Sequence, residues 1–171
     1  MPSMGIYSYE LYKFYNVEKI IRIGSCGGYK DSLKMLDVIL AKNAYSESNF
    51  AYTMSNITEK IMEPSLKLTN EIEEKAKELN IDIIKGTIMT NDCFDPYVEN
   101  MKNVLERVPK NIDIIAAEME AFSLFHIAKI LNKEAACIAT VVDLPEKKEQ
   151  VDSKTREQSL NKMITLALEA I

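Results

Sequence analysis

Strand-like and helix-like segments alternate along all 171 residues, which predicts an α/β protein. The expected architecture is layered α/β/α around a central mixed, largely parallel sheet. Three observations carry that expectation. Short β-branched or apolar runs recur at 19–23, 37–44, 81–89, 112–116 and 135–142. The segments between several of them place apolar residues at helical spacing. The last run is apolar apart from Thr140, as expected of a strand covered on both faces.

In chain order, 3–15 is helical by composition, and 19–23 is a strand that halts at Gly24. A second strand spans 37–44, and 45–61 is polar without a clear period. Pro64 fits the first turn of a helix. That helix puts Leu68, Ile72, Ala76 and Leu79 on one face, with Glu71–Lys75 and Glu73–Lys77 paired at i,i+4 on the solvent side. Strand 81–89 follows, then a helix over 97–108 closed off by Pro109. Strand 112–116 runs straight into a helix over 119–131. After strand 135–142, Leu160, Met163, Ile164, Ala167, Leu168 and Ile171 mark a C-terminal amphipathic helix. No repeat, low-complexity tract or Pro/Gly-rich linker interrupts this order, so residues 1–171 read as a single domain.

Composition narrows the function. A net charge of −5 and a pI near 5.1 argue against a general nucleic-acid binder, which needs clustered positive charge. An anionic small molecule held by one or two placed arginines remains compatible. Nothing approaches the ~18 consecutive apolar residues of a membrane span. The start MPSMGIYSYE has no basic-then-apolar signal pattern, so the expectation is a cytoplasmic protein. Cys26, Cys93 and Cys137 form neither an even disulfide set nor a zinc spacing, and read as reduced thiols with no metal implied.

Ligands in such sheets bind at the carboxyl ends of strands, and four strand ends here carry unusual residues. In RIGSCGG (22–28) a cation on an apolar strand precedes Gly, Ser and a Gly pair. Backbone can approach a ligand closely there, and Ser25 adds a hydroxyl for an anion. No GKS or GKT follows, so this is not a Walker A loop. The plain alternative is a strand-to-turn transition with a surface Arg. In AAEMEAF (116–122), Glu118 and Glu120 sit where an apolar strand meets an apolar helix, so they need partners. They share a face only if the local chain is extended; otherwise they are helix N-terminal acids favoured by the dipole. In TVVDLP (140–145), Asp143 ends an apolar strand, a position suited to a general acid or a cation partner, or to an ordinary turn before Pro145. In TNDCFDPY (90–97), Phe94 can lie against a flat ring or pack on its own core. Arg156 either reaches Asp143 across a loop or is solvated among its charged neighbours. His126, mid-helix among apolar residues, reads as structural.

Together, VEKIIRIGSCGG, TNDCF, AAEMEAF, ATVVD and TREQSLNKMITLALEAI, in this order and spacing, resemble the bacterial-type, hexameric purine nucleoside phosphorylases of the nucleoside phosphorylase superfamily. The resemblance covers essentially the whole chain. It implies phosphorolysis of purine nucleosides to free base and ribose 1-phosphate, with phosphate as co-substrate and no cofactor. It implies phosphate binding by Arg22 and Ser25, and a sugar site from Met119 and Glu120. It implies a base pocket from Cys26, Gly27, Phe94, Ala117 and Glu118. Asp143 would protonate N7 of the leaving purine with Arg156 assisting. A homo-oligomer, hexamer or dimer, is expected by family analogy. The family's usual N-terminal strand-loop-helix section, with its phosphate loop, has no counterpart in these residues. The expectations are therefore exposed sheet edges, exposed apolar surface and weak or absent turnover. The alternatives are a non-catalytic nucleoside-binding remnant and, behind it, a hydrolytic nucleosidase of the same superfamily.

Overall fold

One strand buried on both faces organises the molecule. In the computed structural model, which describes residues 1–158 and 160–171, it is β6 (Glu134–Leu144). Before it come α1 (Pro2–Phe14), β1 (Lys19–Gly28), β2 (Val38–Tyr45), α2 (Phe50–Ser55), β3 (Ile61–Met62), α3 (Leu66–Glu78), β4 (Ile83–Thr90), α4 (Met101–Leu105), β5 (Ile114–Glu118) and α5 (Ala121–Leu131). After it come β7 (Glu149–Gln150), α6 (Ser153–Gln158) and α7 (Asn161–Glu169).

Alternation along β6 feeds two cores. Ala135, Cys137, Ala139 and Val141 join Tyr12 of α1 and Phe122, Leu124 and Phe125 of α5. Ala136 and Ile138 point the other way, onto Leu68 and Ile72 of α3 and Met163 and Leu166 of α7. Strand β2 divides likewise, with Ile39 and Ala41 on one side and Val38 and Leu40 on the other. Period-two side chains with apolar residues at both phases need a helix layer on each face. That is the expected α/β/α arrangement.

The sheet order is β3-β2-β4-β5-β1-β6-β7, and it is mixed as expected: β1–β6, β2–β4 and β4–β5 are parallel. Its closure was not legible in the sequence. One edge of β2 pairs with β4, while its other edge meets β6 antiparallel at Val38–Leu40 and β3 at Ala44–Tyr45. Strands β2, β4, β5, β1 and β6 therefore close into a ring. The ring is nearly open between β1 and β5, which pair only at Gly27 and Gly28, so the edge of β1 over 19–26 has no strand partner among the described residues, as expected of a shortened sheet. Apolar surface is exposed as expected, on α1 and the residue after it, where Tyr7, Leu11, Phe14 and Tyr15 face outward.

Three local expectations change. The first strand does not halt at Gly24; β1 continues to Gly28 because β6 lies alongside and supplies partners Ala139, Thr140 and Val141, with a register shift between Cys26 and Gly27. The segment 45–61, polar in sequence, forms α2 and β3. The helix expected over 97–108 contracts to α4, opened by the Asn100 side chain accepting from the Asn103 N–H at 3.1 Å. His126 is structural in its setting. It is fully buried on α5, 2.9 Å from the Ser55 hydroxyl and edge-on to Phe50.

A reciprocal clamp holds the start of α3 to β6. The Ser65 N–H donates to the Ala135 carbonyl at 2.8 Å, and the Ser65 hydroxyl accepts from the Ala135 N–H at 2.9 Å. Removing the hydroxyl strands a buried donor. Ser65→Ala is expected to lower the unfolding free energy by about 1–3 kcal/mol in urea titrations followed by circular dichroism. An unchanged midpoint would show that water replaces the hydroxyl at no cost.

Candidate active site

The carboxyl ends of β1, β5 and β6 converge on a cavity of about 870 Å³. Its size falls within the usual range for small-molecule sites, about 300–1,000 Å³. The sequence-predicted residues all line it. Arg22, Ser25, Cys26 and Gly27 come from β1, and Ala117 and Glu118 from β5. Met119 and Glu120 follow β5, Asp143 is on β6, Phe94 is on the loop after β4 and Arg156 is on α6.

At one end, Arg22 is the centre. Its Nε lies 3.2 Å from Glu118 Oε2, and its Nη2 donates to Glu120 Oε2. The Arg22 and Glu118 side chains are 9% and 0% exposed, whereas Glu120 is 33% exposed. Both carboxylates thus reach one cation, the arrangement that an extended local chain permits. Glu118 is further fixed by Thr90, whose hydroxyl donates at 2.6 Å, and by the N–H groups of Glu120 and Ala121 at 2.8–3.1 Å. Thr90 also accepts from the Phe122 N–H at 3.1 Å, which joins β4 to the start of α5. Thr90 gave no sequence signal; its role depends on β4 lying beside β5.

Burial opposes the charge on Arg22, and the surrounding acceptors outweigh it, so the guanidinium stays protonated. The Cys137 sulfur, 3.6 Å from Nη1, is the first of those neighbours, but burial pushes its thiol up to about 12. A neutral thiol contributes little at neutral pH, which leaves Glu118 and Glu120 to hold the cation. Burial also raises the Glu118 pKa, against the opposing pull of Arg22, Thr90 and the two N–H groups.

Two glycines in β1 act through close approach. A Cβ on Gly24 would come within 2.7 Å of Arg22 Nη1, so its absence lets the guanidinium fold back over the strand. A Cβ on Gly27 would come within 3.0 Å of Asp143 Oδ1. Gly27 and Asp143 are direct partners in the β1–β6 ladder, just past the register shift. The carboxyl therefore rests against bare backbone.

Asp143 lines the cavity beside Gly27, five residues along β1 from Arg22. Burial raises its pKa, Asp95 adds to the rise, and Arg156 opposes it. Arg156 precedes the C-terminal helix α7. It lies on the separate short helix α6, and among the described residues it makes no ion pair with Asp143 within 4 Å, acting on it through charge alone. Phe94 is half exposed at the rim, with its ring edge-on to Tyr97 at 5.3 Å. The lining residues that sequence reasoning passed over include Tyr29 and Asp95. Tyr29 follows the glycine pair directly and Asp95 follows Phe94, so both were adjacent to motifs already recognised.

The model of the family described as "Phosphorylase superfamily" matches residues 1–171. The chain belongs to that superfamily. A protein of Mycoplasma genitalium named "Purine nucleoside phosphorylase DeoD-type" is 39% identical over 171 residues, which cover 99% of this chain and 70% of that protein. A protein of the same name from Buchnera aphidicola is 33% identical, across all of this chain and 71% of its own length. A solved chain described as a structural analysis of a P. knowlesi homolog of P. falciparum PNP superposes with a TM-score of 0.75 at 22% identity. That match covers 97% of this chain and 65% of the solved one, and shows the shared fold. Phosphorylase-superfamily membership accounts for the mixed sheet with flanking helices. Among the described residues, no helix is long and apolar enough to cross a membrane.

The two carboxylates on Arg22 predict different mutant behaviour. Arg22→Gln leaves buried Glu118 without its cation and is expected to cost about 3–5 kcal/mol in urea unfolding at pH 7. Glu120→Gln affects a part-exposed group and is expected to cost under about 1 kcal/mol. Equal losses would mean that the buried pair does not hold the site together.

Proposed function

We propose that this chain is a purine nucleoside phosphorylase, a pentosyltransferase of nucleoside metabolism. It cleaves the N-glycosidic bond of purine (deoxy)ribonucleosides with inorganic phosphate, giving free base and (deoxy)ribose 1-phosphate. The observation that carries the reading is the polarity of the cavity. A carboxyl disposed to hold a proton, Asp143, stands at one end, and a carboxylate oriented by a cation, Glu120 on Arg22, stands at the other. A nucleoside needs that pair of ends: an acid for the departing base and an acceptor for the sugar hydroxyls.

In the proposed reaction, Glu120 accepts hydrogen bonds from the ribose hydroxyls, and Met119 packs on the sugar face. Phe94, Cys26, Gly27, Ala117 and Glu118 bound the base. Asp143 delivers its proton to N7 as the C1′–N9 bond breaks, so the purine leaves neutral. Arg156 steadies the carboxylate left behind. Phosphate, held by Arg22 and Ser25, forms the new C1′–O bond on the opposite face. General acid catalysis of this kind contributes ~100- to 10,000-fold, and the hydroxyl clamp supplies orientation. The reaction requires no metal or organic cofactor. The working unit is a homo-oligomer by analogy with the family, and the compartment is the cytoplasm.

One observation favours a second reading. Arg22 is already engaged by two carboxylates, so the phosphate end carries no spare positive charge of its own. A chain that binds nucleoside without turning it over is the corresponding alternative.

Incubation of the purified chain with inosine or adenosine, with and without phosphate, separates these readings. The expected result is base and ribose 1-phosphate released together, only when phosphate is present. Asp143→Asn should then lower kcat by ~100- to 10,000-fold. Because the acid must be protonated to act and its pKa is raised, kcat/KM should fall as pH rises through that raised value. Phosphate-independent cleavage would indicate a hydrolase; binding without cleavage would favour the second reading.

A further inference from the structure

Asp95 lies in the cavity wall beside Phe94 and opens the one-turn helix Asp95–Tyr97. Both of its carboxylate oxygens are engaged. Oδ2 accepts from the Tyr29 hydroxyl, and Oδ1 accepts from Asn91 Nδ2 at 2.6 Å. Those donors are themselves anchored. The Tyr29 N–H donates to the Ile115 carbonyl at 2.8 Å, and the Asn91 N–H donates to the Glu118 carbonyl at 2.9 Å. Asp95 is therefore tied through Tyr29 to the end of β1 and through Asn91 to the end of β5. A short polar side chain held on both oxygens cannot swing out to solvent or across to a cation.

Asp143 faces the same cavity from β6, resting on Gly27, two residues before Tyr29. Two carboxyl groups thus share the base end of one partly desolvated space. We propose that Asp95 is a positioning residue that acts through Asp143: its fixed negative charge keeps the neighbouring carboxyl in the form that can donate a proton to the leaving base. This rests on the phosphorylase reading of the cavity.

The charges around Asp143 make the need concrete. From α6, Arg156 favours the ionised carboxylate, and Lys102 of α4 also lines the cavity. From β1, Arg22 lies farther along, paired to Glu118 and Glu120, while Cys26 and Tyr29 are neutral. The turn after β6 contributes Glu146 at the mouth. Burial is the largest influence holding Asp143 neutral, and Asp95 is the next, in opposition to Arg156. Without Asp95, the arginine that steadies the spent carboxylate would also draw off the proton before it is used.

The test reads Asp143 directly. The chain, labelled with carboxyl-13C aspartate, is titrated by NMR as native protein, Asp95→Asn and Asp95→Glu, with Asp143→Asn assigning the resonance. The expected result is a lower Asp143 midpoint in Asp95→Asn and a midpoint kept high in Asp95→Glu. The alkaline limb of kcat/KM for phosphorolysis should move to lower pH in Asp95→Asn alone. Asp95→Ser carries the same expectation should the Asn variant fail to fold. An unmoved or higher midpoint, or activity reduced equally at all pH values, would overturn the proposal and leave Asp95 a loop anchor. Since the titration needs no turnover, the two readings fail separately. A native chain without phosphorolysis refutes the enzyme; an unmoved midpoint in an active chain refutes only Asp95.

Discussion

The buried pair of Arg22 and Glu118 is the constraint on which the site depends. Strands β1 and β5 are sheet neighbours, yet their backbones register over only two pairs, Gly27 with Ala117 and Gly28 with Ala116. So short a ladder does little to fix the two strand ends. The guanidinium completes the junction by reaching from β1 to the end of β5 and to the residue that caps α5. Desolvating both charges is costly, and their attraction repays that cost only where hydrogen bonding is nearly complete. Thr90 and two backbone N–H groups complete it on the Glu118 side. The same contacts lock the start of α5, so one cluster fixes ring closure, helix entry and the direction of Glu120.

The rest of the cavity follows from the register shift in β1. Past Cys26 the ladder with β6 skips a residue, which brings Gly27 opposite Asp143. Irregularities of this kind re-aim side chains near functional sites. Here the carboxyl turns against a residue without a side chain, and the space that a Cβ would fill is left to it. Polar chemistry is thereby divided along one cavity. Around Arg22 the charges are paired in a dense network, whereas burial and the charges of Asp95 and Arg156 act on Asp143.

Much of this was legible in the sequence, for identifiable reasons. The strand at 135–142 announced two covered faces because it lacks a polar phase, and α3 announced itself through Leu68, Ile72 and Ala76 with charged residues opposite. Arg22, Glu118, Glu120 and Asp143 were visible because charges are rare at the ends of apolar strands. Ring closure was not legible, because nothing in β2 distinguishes a strand with two neighbours from one with three. The extension of β1 was hidden because SCGG has turn composition, and only the partner strand makes it extended. Thr90, Tyr29 and Asp95 were missed for a common reason. Each matters through a hydrogen bond to a residue far away in sequence, and no local pattern records such a partner.

The Arg22 cluster also sets the terms on which an anion can enter. A phosphate dianion arriving beside Arg22 meets a cation already shared by two carboxylates. Like charges repel more strongly where solvent is excluded, so entry requires a change in the cluster. The buried position of Glu118 supplies one, because desolvation favours its neutral form and only Arg22, Thr90 and the N–H groups hold the proton off. An anion that takes over part of the guanidinium weakens the strongest of those opposing influences. In the proposed reaction, phosphate therefore competes with two carboxylates for one guanidinium, while Asp143 gives its proton to the departing base.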